Sequence, residues 1–132
     1  MSAKVCDASQ LQVTEHVPVV IVGGGACGLT AALALHRLDV ECVVLERDAT
    51  PSGSTALSSG FVPAPCTYTQ KAKGVVDSPD LFAKDIQAKA KGTAAEHLVQ
   101  AYSQAIGPAL DALADVHGIT WELLDNFLYP GH

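Results

Sequence analysis

The run VPVVIVGGGACGLTAALALHRLDVECVVLER, Val17 to Arg47, carries the decisive pattern in this chain. Its first six residues, Val17–Val22, are β-branched and apolar on both alternating faces, apart from Pro18 near the start. Such a run suits a strand of a parallel sheet covered on both sides. Gly23, Gly24 and Gly25 end it. Ala26–Leu38 then reads as a helix, with Leu29, Ala32, Leu33 and His36 at i, i+3, i+4 and i+7 and with Ala31, Ala34 and Leu35 widening the face. Asp39 makes a turn, and Val40–Leu45 forms a second apolar strand with Glu46 at its C-terminal end. Strand, helix and strand in this order predict an α/β chain built on a Rossmann-like βαβ unit.

The bend between the first strand and the helix has a chemical meaning. Gly23, Gly25 and Gly28 form G-x-G-x-x-G, with Gly24, Ala26 and Cys27 between them. The first glycine permits the tight turn. The second leaves the backbone bare for a pyrophosphate, and the third lets the helix pack close to the strand. The start of a helix offers free N–H donors and a partial positive charge to phosphate. Glu46, one strand further on, can accept hydrogen bonds from both ribose hydroxyls of an adenosine. It would repel a 2′-phosphate, so NADP is disfavoured. A G-x-G-x-x-G alone is a weak signal. Here it follows an apolar strand, opens a helix and is followed by a strand ending in an acid, which is the context the motif requires.

NAD domains usually continue after the second strand with another crossover and a third strand. This chain instead enters DATPSGSTALSSGFVPAPCT, residues 48–67, rich in Ser, Gly, Pro and Thr. That segment reads as a structured loop, or a short helix between loops, whose hydroxyls and amides can reach a flavin or a pyrophosphate. The order of segments therefore points to FAD.

Composition narrows the rest. In 132 residues, 48% are apolar and only 5% aromatic, so any core is built mainly from Ala, Val and Leu. The net charge of -6 speaks against a nucleic-acid partner, which needs a basic face. The four cysteines, Cys6, Cys27, Cys42 and Cys66, have neither zinc-type nor C-x-x-C spacing. A reducing compartment, the cytoplasm, is the expected location. No metal site is expected. The sequence holds no apolar run long enough to span a membrane and shows no signal peptide.

Towards the C-terminus the chain turns helical. Ser78-Pro79-Asp80 is a helix start, with a Ser cap, Pro at the first position and an acid in the first turn. That helix is expected to run to about Lys91. A second is expected from Ala94 to His117, kinked or divided by Pro108 and closed by Gly118. Ile119–Leu124 is read as a strand. The expected organisation is a flexible leader over 1–16, the N-terminal part of an FAD-binding domain over 17–75, and a mostly helical segment over 76–132, which a family resemblance reads as the start of a cap or substrate domain. The close at Tyr129–His132, directly after an apolar stretch, suggests a truncated chain.

VVIVGGGACGLTAALAL, VVLERD and SGSTALSSGFVPA together resemble the FAD-dependent oxidoreductase family of fumarate reductase and succinate dehydrogenase flavoproteins, and are also similar to 3-ketosteroid dehydrogenases. The resemblance is specific over residues 17–66. It is faint over 78–132, where it amounts to a helical segment at the place where the family begins its cap domain. It implies a flavoenzyme that passes hydride between flavin and an activated carbon–carbon bond of a carboxylate or ketone. It implies that Gly23–Gly28 binds the pyrophosphate, that Glu46 holds the ribose and that Arg47 lies along the adenosine. It also implies that Ser54, Thr55, Ser59 and Gly60 touch FAD through hydroxyls and amides. Succinate dehydrogenases carry a flavin-linked His where this chain has Ser54, so non-covalent FAD is expected. Phe61 stands where many relatives have a second glycine. The family's catalytic arginine and substrate-binding histidines lie further along than residue 132, so no catalytic residue is assigned and this chain alone is expected to be inactive. The substrate would be a small molecule, and the electron partner is open.

Other residues read as structural. Cys27 lies at the helix start, where a thiol can be activated, but no partner cysteine is near in sequence and a small loop residue is the favoured reading. Cys42 reads as a buried small side chain and Cys66 as inert. Asp111 and Asp115, at i and i+4, read as a solvated helix face. His36, His97 and His117 suggest no metal. Trp121 is read as a packing residue, and Lys84, Lys89 and Lys91 mark an exposed side. Two other readings stand beside the main one. An NAD-binding dehydrogenase or flavin monooxygenase would call for a third strand directly after Glu46 or a second G-x-G-x-x-G, and the sequence has neither. A non-catalytic truncated fragment is the other.

Overall fold

The fold is that of a computed structural model, which describes residues 7, 9 and 11–124. It divides after Phe61 into two compact units. This division falls before the 75/76 boundary expected from sequence. Leu11 and Val13 are exposed in residues without regular structure, while most of the expected leader and the Tyr129–His132 ending lie outside the described residues.

The first unit is built on β1 (Val19–Val22), α1 (Ala26–Arg37) and β2 (Cys42–Leu45). The strands pair in parallel, Val19 with Cys42 through Val22 with Leu45. Parallel neighbours need a crossover, and α1 supplies it. Gly23 N–H donates to Leu45 O at 2.8 Å, carrying the ladder one step past the strand. Gly23 sits at φ 105°, in the left-handed half of the map where a side chain would be strained. At the other end α1 closes as Val40 N–H reaches Leu35 O at 3.0 Å. Asp39 takes the left-handed turn there at φ 54°, which Asp tolerates better than most residues.

Two expectations for this unit are corrected. The strands are not covered on both faces. Val19, Ile21, Cys42 and Val44 are half-buried, while Val20, Val22, Val43 and Leu45 are exposed, Val22 at 85%. The sheet has two strands among the described residues, and α1 covers one side. The inward stripe of α1 also differs from the expected one. Gly28, Ala32, Leu33 and Leu35 are half-buried, whereas Leu29 and His36 are exposed. The contact of Gly28 with β1 sets the rotation of the helix and moves the stripe. After β2 comes α2 (Ser54–Leu57), a short helix between loops, as the composition of residues 48–67 suggests.

The second unit holds α3 (Tyr68–Ala72), α4 (Pro79–Lys89) and α5 (Glu96–His117). Ser78 caps α4, its side chain accepting from Leu81 N–H at 3.1 Å. Such a cap contributes about 1 kcal/mol. Phe82 and Ala83 of α4 and Val99 and Leu110 of α5 form the buried apolar core. The Phe82 and Tyr102 rings lie 5.8 Å apart, and the Tyr102 hydroxyl donates to Pro63 O at 3.1 Å. Burial holds the Tyr102 pKa above its usual value.

α3 was not anticipated. It opens on a capping box in which Thr67 Oγ1 accepts the Gln70 N–H and Gln70 Oε1 accepts the Thr67 N–H. The signature, Thr followed three residues later by Gln, is legible in the sequence. Asp111 is also corrected. It is buried, not solvated, and its Oδ1 accepts the Tyr68 N–H at 2.9 Å, satisfying a free donor at the start of α3. Asp115 is exposed.

Pro108 does not divide α5, which runs unbroken from Glu96 to His117 and ends on Gly118 at φ 67°. A proline removes one helical hydrogen bond, and the buried residues on both sides of it, Gly107 and Leu110, keep the helix on its packing. Ile119–Leu124 forms no strand. No strand of this unit is described for it to pair with. Ile119 N–H instead reaches back to Leu113 O at 3.3 Å, and Trp121 Nε1–H donates to Leu110 O at 2.9 Å. No helix among the described residues is long and apolar enough to cross a membrane, and no metal-ligand cluster occurs among them.

Gly107 tests this packing. A Cβ there would collide with the Pro65 carbonyl oxygen. In an open helix, Gly to Ala gains about 1 kcal/mol. Here Gly107→Ala is expected to destabilise the chain by about 1–3 kcal/mol, the cost of overpacking. Thermal or urea unfolding measures it, and a stabilised variant would contradict the contact.

Candidate functional site

The G-x-G-x-x-G bend lies between the exit of β1 and the first turn of α1. Gly28 faces back into the bend. A Cβ on it would collide with the carbonyl oxygen of Gly23 and would stand 3.1 Å from Ile21 Cγ2. The glycine therefore permits α1 to start directly against the strand. Gly25 stands at the N-cap position in extended backbone and offers no side chain to the helix end. The first N–H groups of α1 thus open a short, positively polarised cradle.

Glu46 leaves the end of β2 and turns onto this bend. Its Oε2 accepts the Gly24 N–H at 2.8 Å, and its Oε1 accepts the Asp48 N–H at 3.1 Å. The two donors, Asp48 first and Gly24 second, hold the Glu46 carboxyl below its usual range. A carboxylate has about four acceptor positions. Two are used by main-chain donors, and the others are left on the carboxylate. Gly24 is buried beneath it, and a Cβ at Gly24 would meet Glu46 Oε2 at 3.0 Å.

Arg47 is exposed and pairs with its neighbour. Its Nε and Nη2 reach the two Asp48 carboxylate oxygens at 3.1 Å each. Arg47 first, and then the Ser52 hydroxyl at 2.8 Å, hold the Asp48 pKa down. The second loop also comes to the bend. Thr55 Oγ1 accepts the Ala26 N–H at 3.1 Å. Ser54 opens α2, and the Ser58 hydroxyl donates to Thr55 O at 2.8 Å. Ser59 and Gly60 lie exposed beyond α2, Gly60 at φ 76° with its N–H on Ser58 Oγ at 3.3 Å.

The structure thus brings together Gly23–Gly28, Glu46 and Thr55. No hydrogen bond ties Arg47, Ser54, Ser59 or Gly60 to the bend among the described residues. Cys27 is an exposed free thiol, Cys42 is free and half-buried, and the Cys66 Sγ–H donates to Asp77 O at 3.1 Å. Sequence reasoning missed the Glu46–Gly24 and Thr55–Ala26 contacts. Neither has a local signal, because each joins residues more than twenty positions apart.

These residues fit the adenine end of a dinucleotide. The helix start supplies amide donors for phosphate, the glycines leave room for its approach, and a carboxylate one strand away suits a diol.

The Glu46 contacts carry a pH dependence. Its folded value lies below the unfolded one, so their contribution is complete above the ordinary glutamate range and is lost as pH falls through the depressed folded value. The Gly24 amide, followed by NMR, is expected to keep its hydrogen-bonded shift through that ordinary range and lose it only at lower pH. A midpoint at or above an ordinary glutamate would contradict the geometry.

Comparison with known proteins agrees with this chemistry. Residues 18–127 match the FAD binding domain family. The chain is 30% identical to a urocanate reductase of Eggerthella lenta, over 90% of this chain and 20% of the relative. It is 30% identical to fumarate reductase 1 of Saccharomyces cerevisiae, over 81% of this chain and 23% of the relative. Among solved structures, a 3-ketosteroid delta1-dehydrogenase from Sterolibacterium denitrificans superposes with a TM-score of 0.64 at 26% identity, covering 75% of this chain and 17% of that one. The chain spans about a fifth of the length of these relatives. A bend that opens helix-end amides beside a carboxylate and a family match over most of the sequence converge on one assignment: the chain belongs to the FAD-binding domain family that includes fumarate and urocanate reductases and 3-ketosteroid dehydrogenases.

Proposed function

We propose that this chain holds the ADP half of a non-covalently bound FAD, in a protein that passes hydride between the flavin and a carbon–carbon bond activated by a carboxylate or ketone. The carrying observation is the position of Gly23–Gly28 between strand exit and helix start, with Glu46 on the bend. Amides at the start of α1 would take the pyrophosphate, and Glu46 would take the ribose hydroxyls. Ser54, Thr55, Ser59 and Gly60 would line the path towards the flavin. Ser54 has no ring nitrogen with which to link a flavin covalently. Arg47 would lie along the adenosine once it shifts from Asp48.

The names of the relatives support this substrate class. Their names specify urocanate, fumarate and 3-oxosteroids, each with a carboxylate or ketone able to activate a neighbouring bond. The flavin, when bound, supplies the hydride chemistry, while the protein binds and orients it. In this reading the first unit is the N-terminal part of a Rossmann-like FAD domain, and the α4–α5 segment begins a cap over a small-molecule substrate. Catalytic groups are not assigned to residues 1–132, so the chain alone would bind cofactor without turning over substrate. An NAD-type domain is less well supported, because β2 leads into α2 rather than a third strand.

Titration of the 132-residue chain with FAD, followed by flavin fluorescence, is the test. Saturable binding is expected, with competition by ADP and full release of flavin on denaturation. Glu46→Ala is expected to weaken binding about tenfold, the scale of losing hydrogen bonds to a charged group. Absence of binding by the parent chain, or flavin that stays attached after denaturation, would contradict the reading.

A further inference from the structure

The second unit holds a cleft of about 380 Å³ between α3 and the middle of α5. That size suits a small-molecule site, and such sites pair apolar walls with a few placed polar groups. Here Pro65 and Pro108 supply apolar wall. The polar groups on the α5 side lack partners. Ser103 lines the cleft and is fully buried, and its hydroxyl has no hydrogen-bond partner among the described residues. A buried polar atom left alone costs free energy, so such atoms are uncommon. Pro108 has no N–H, so the carbonyl of Gln104, four residues earlier, loses its helical donor. Both residues line the cleft. Asp111, one turn beyond Pro108, is buried and lines it too. Its Oδ1 accepts the Tyr68 N–H at 2.9 Å, and its Oδ2 has no partner among the described residues. One helix face thus carries three acceptors with capacity to spare, one of them charged.

The opposite charge stands on the α3 side. Lys71 also lines the cleft and is exposed, with its Nζ 5.6 Å from the centroid of the Tyr68 ring. No carboxylate pairs with it among the described residues. A ligand carrying only an ammonium would suit Asp111 and be repelled by Lys71. One carrying only a carboxylate would suit Lys71 and be repelled by Asp111. A molecule with both charges on neighbouring atoms leaves neither group facing its like, and an apolar body matches the prolines.

We infer that this cleft binds a small α-amino acid with an apolar side chain, its ammonium donating to Asp111 Oδ2, Ser103 Oγ and Gln104 O and its carboxylate accepting from Lys71 Nζ. Every group involved belongs to the second unit. The inference is therefore independent of the FAD reading and stands or falls apart from it.

Titration of the nitrogen-15-labelled 132-residue chain with L-leucine, followed by NMR, is the test. Saturable shifts are expected at the Tyr68, Lys71, Ser103, Gln104 and Asp111 amides. Isoamylamine, which lacks the carboxylate, and isocaproate, which lacks the ammonium, are each expected to bind about tenfold more weakly, the scale of one lost bond to a charged group. Lys71→Gln is expected to weaken L-leucine by a similar factor without weakening isoamylamine. Ser103→Ala, which removes a hydroxyl that has no partner, should fold as the parent does and bind L-leucine several-fold more weakly. A hydroxyl that is only a packing element would leave that affinity unmoved. Absence of saturable shifts, or shifts centred outside the cleft, overturns the site. Single-charge compounds that bind as tightly as L-leucine, or variants that bind it as the parent does, overturn the amino-acid assignment.

Discussion

Gly28 rests against the carbonyl oxygen of Gly23, and the direction of α1 depends on that close approach. No residue with a side chain can take the place of Gly28 without moving the helix away from the strand. With the helix seated there, its first turn opens at the edge of the sheet, beside the end of β2. Glu46 is the next residue after that strand, so the parallel register itself delivers the acid to the bend. One packing contact thus sets helix-end amides and a carboxylate side by side.

Among the described residues the sheet of the first unit has two strands. Its inner face is covered by α1, and its outer face carries exposed Val20, Val22, Val43 and Leu45. The second unit solves a different problem, since its helices must satisfy many chain ends in a small volume. Thr67 and Gln70 cap each other's amides, Asp111 caps the amide of Tyr68, and Gln70 Nε2–H reaches Asp77 Oδ2 at 2.9 Å. These bonds hold α3 and the segment before α4 with little apolar burial.

Much of the first unit is legible in the sequence because its signals are local. The glycines at the bend, the apolar runs on either side and Glu46 at the strand end each follow from neighbouring residues. The start of α4 is equally plain from Ser78-Pro79-Asp80. What escapes is set by contacts between distant residues. The i, i+4 spacing of Asp111 and Asp115 gives no sign that α3 claims the first of them. Pro108 reads as a break, yet packing carries α5 through it. Ile119–Leu124 has the composition of a strand but no partner described in its unit, so its polar groups turn back to α5. At the candidate site the residue types are readable, while the bonds from Glu46 to Gly24 and from Thr55 to Ala26 require the folded chain.

The main-chain amides at the start of α1 are the groups proposed to meet the cofactor's phosphates. Two-dimensional NMR of the nitrogen-15-labelled chain during addition of ADP observes those amides directly. The largest shifts are expected on Gly25, Ala26 and Cys27, with Glu46 and its neighbours following. Shifts centred elsewhere in the chain, with the Gly23–Gly28 amides unmoved at saturation, would contradict it.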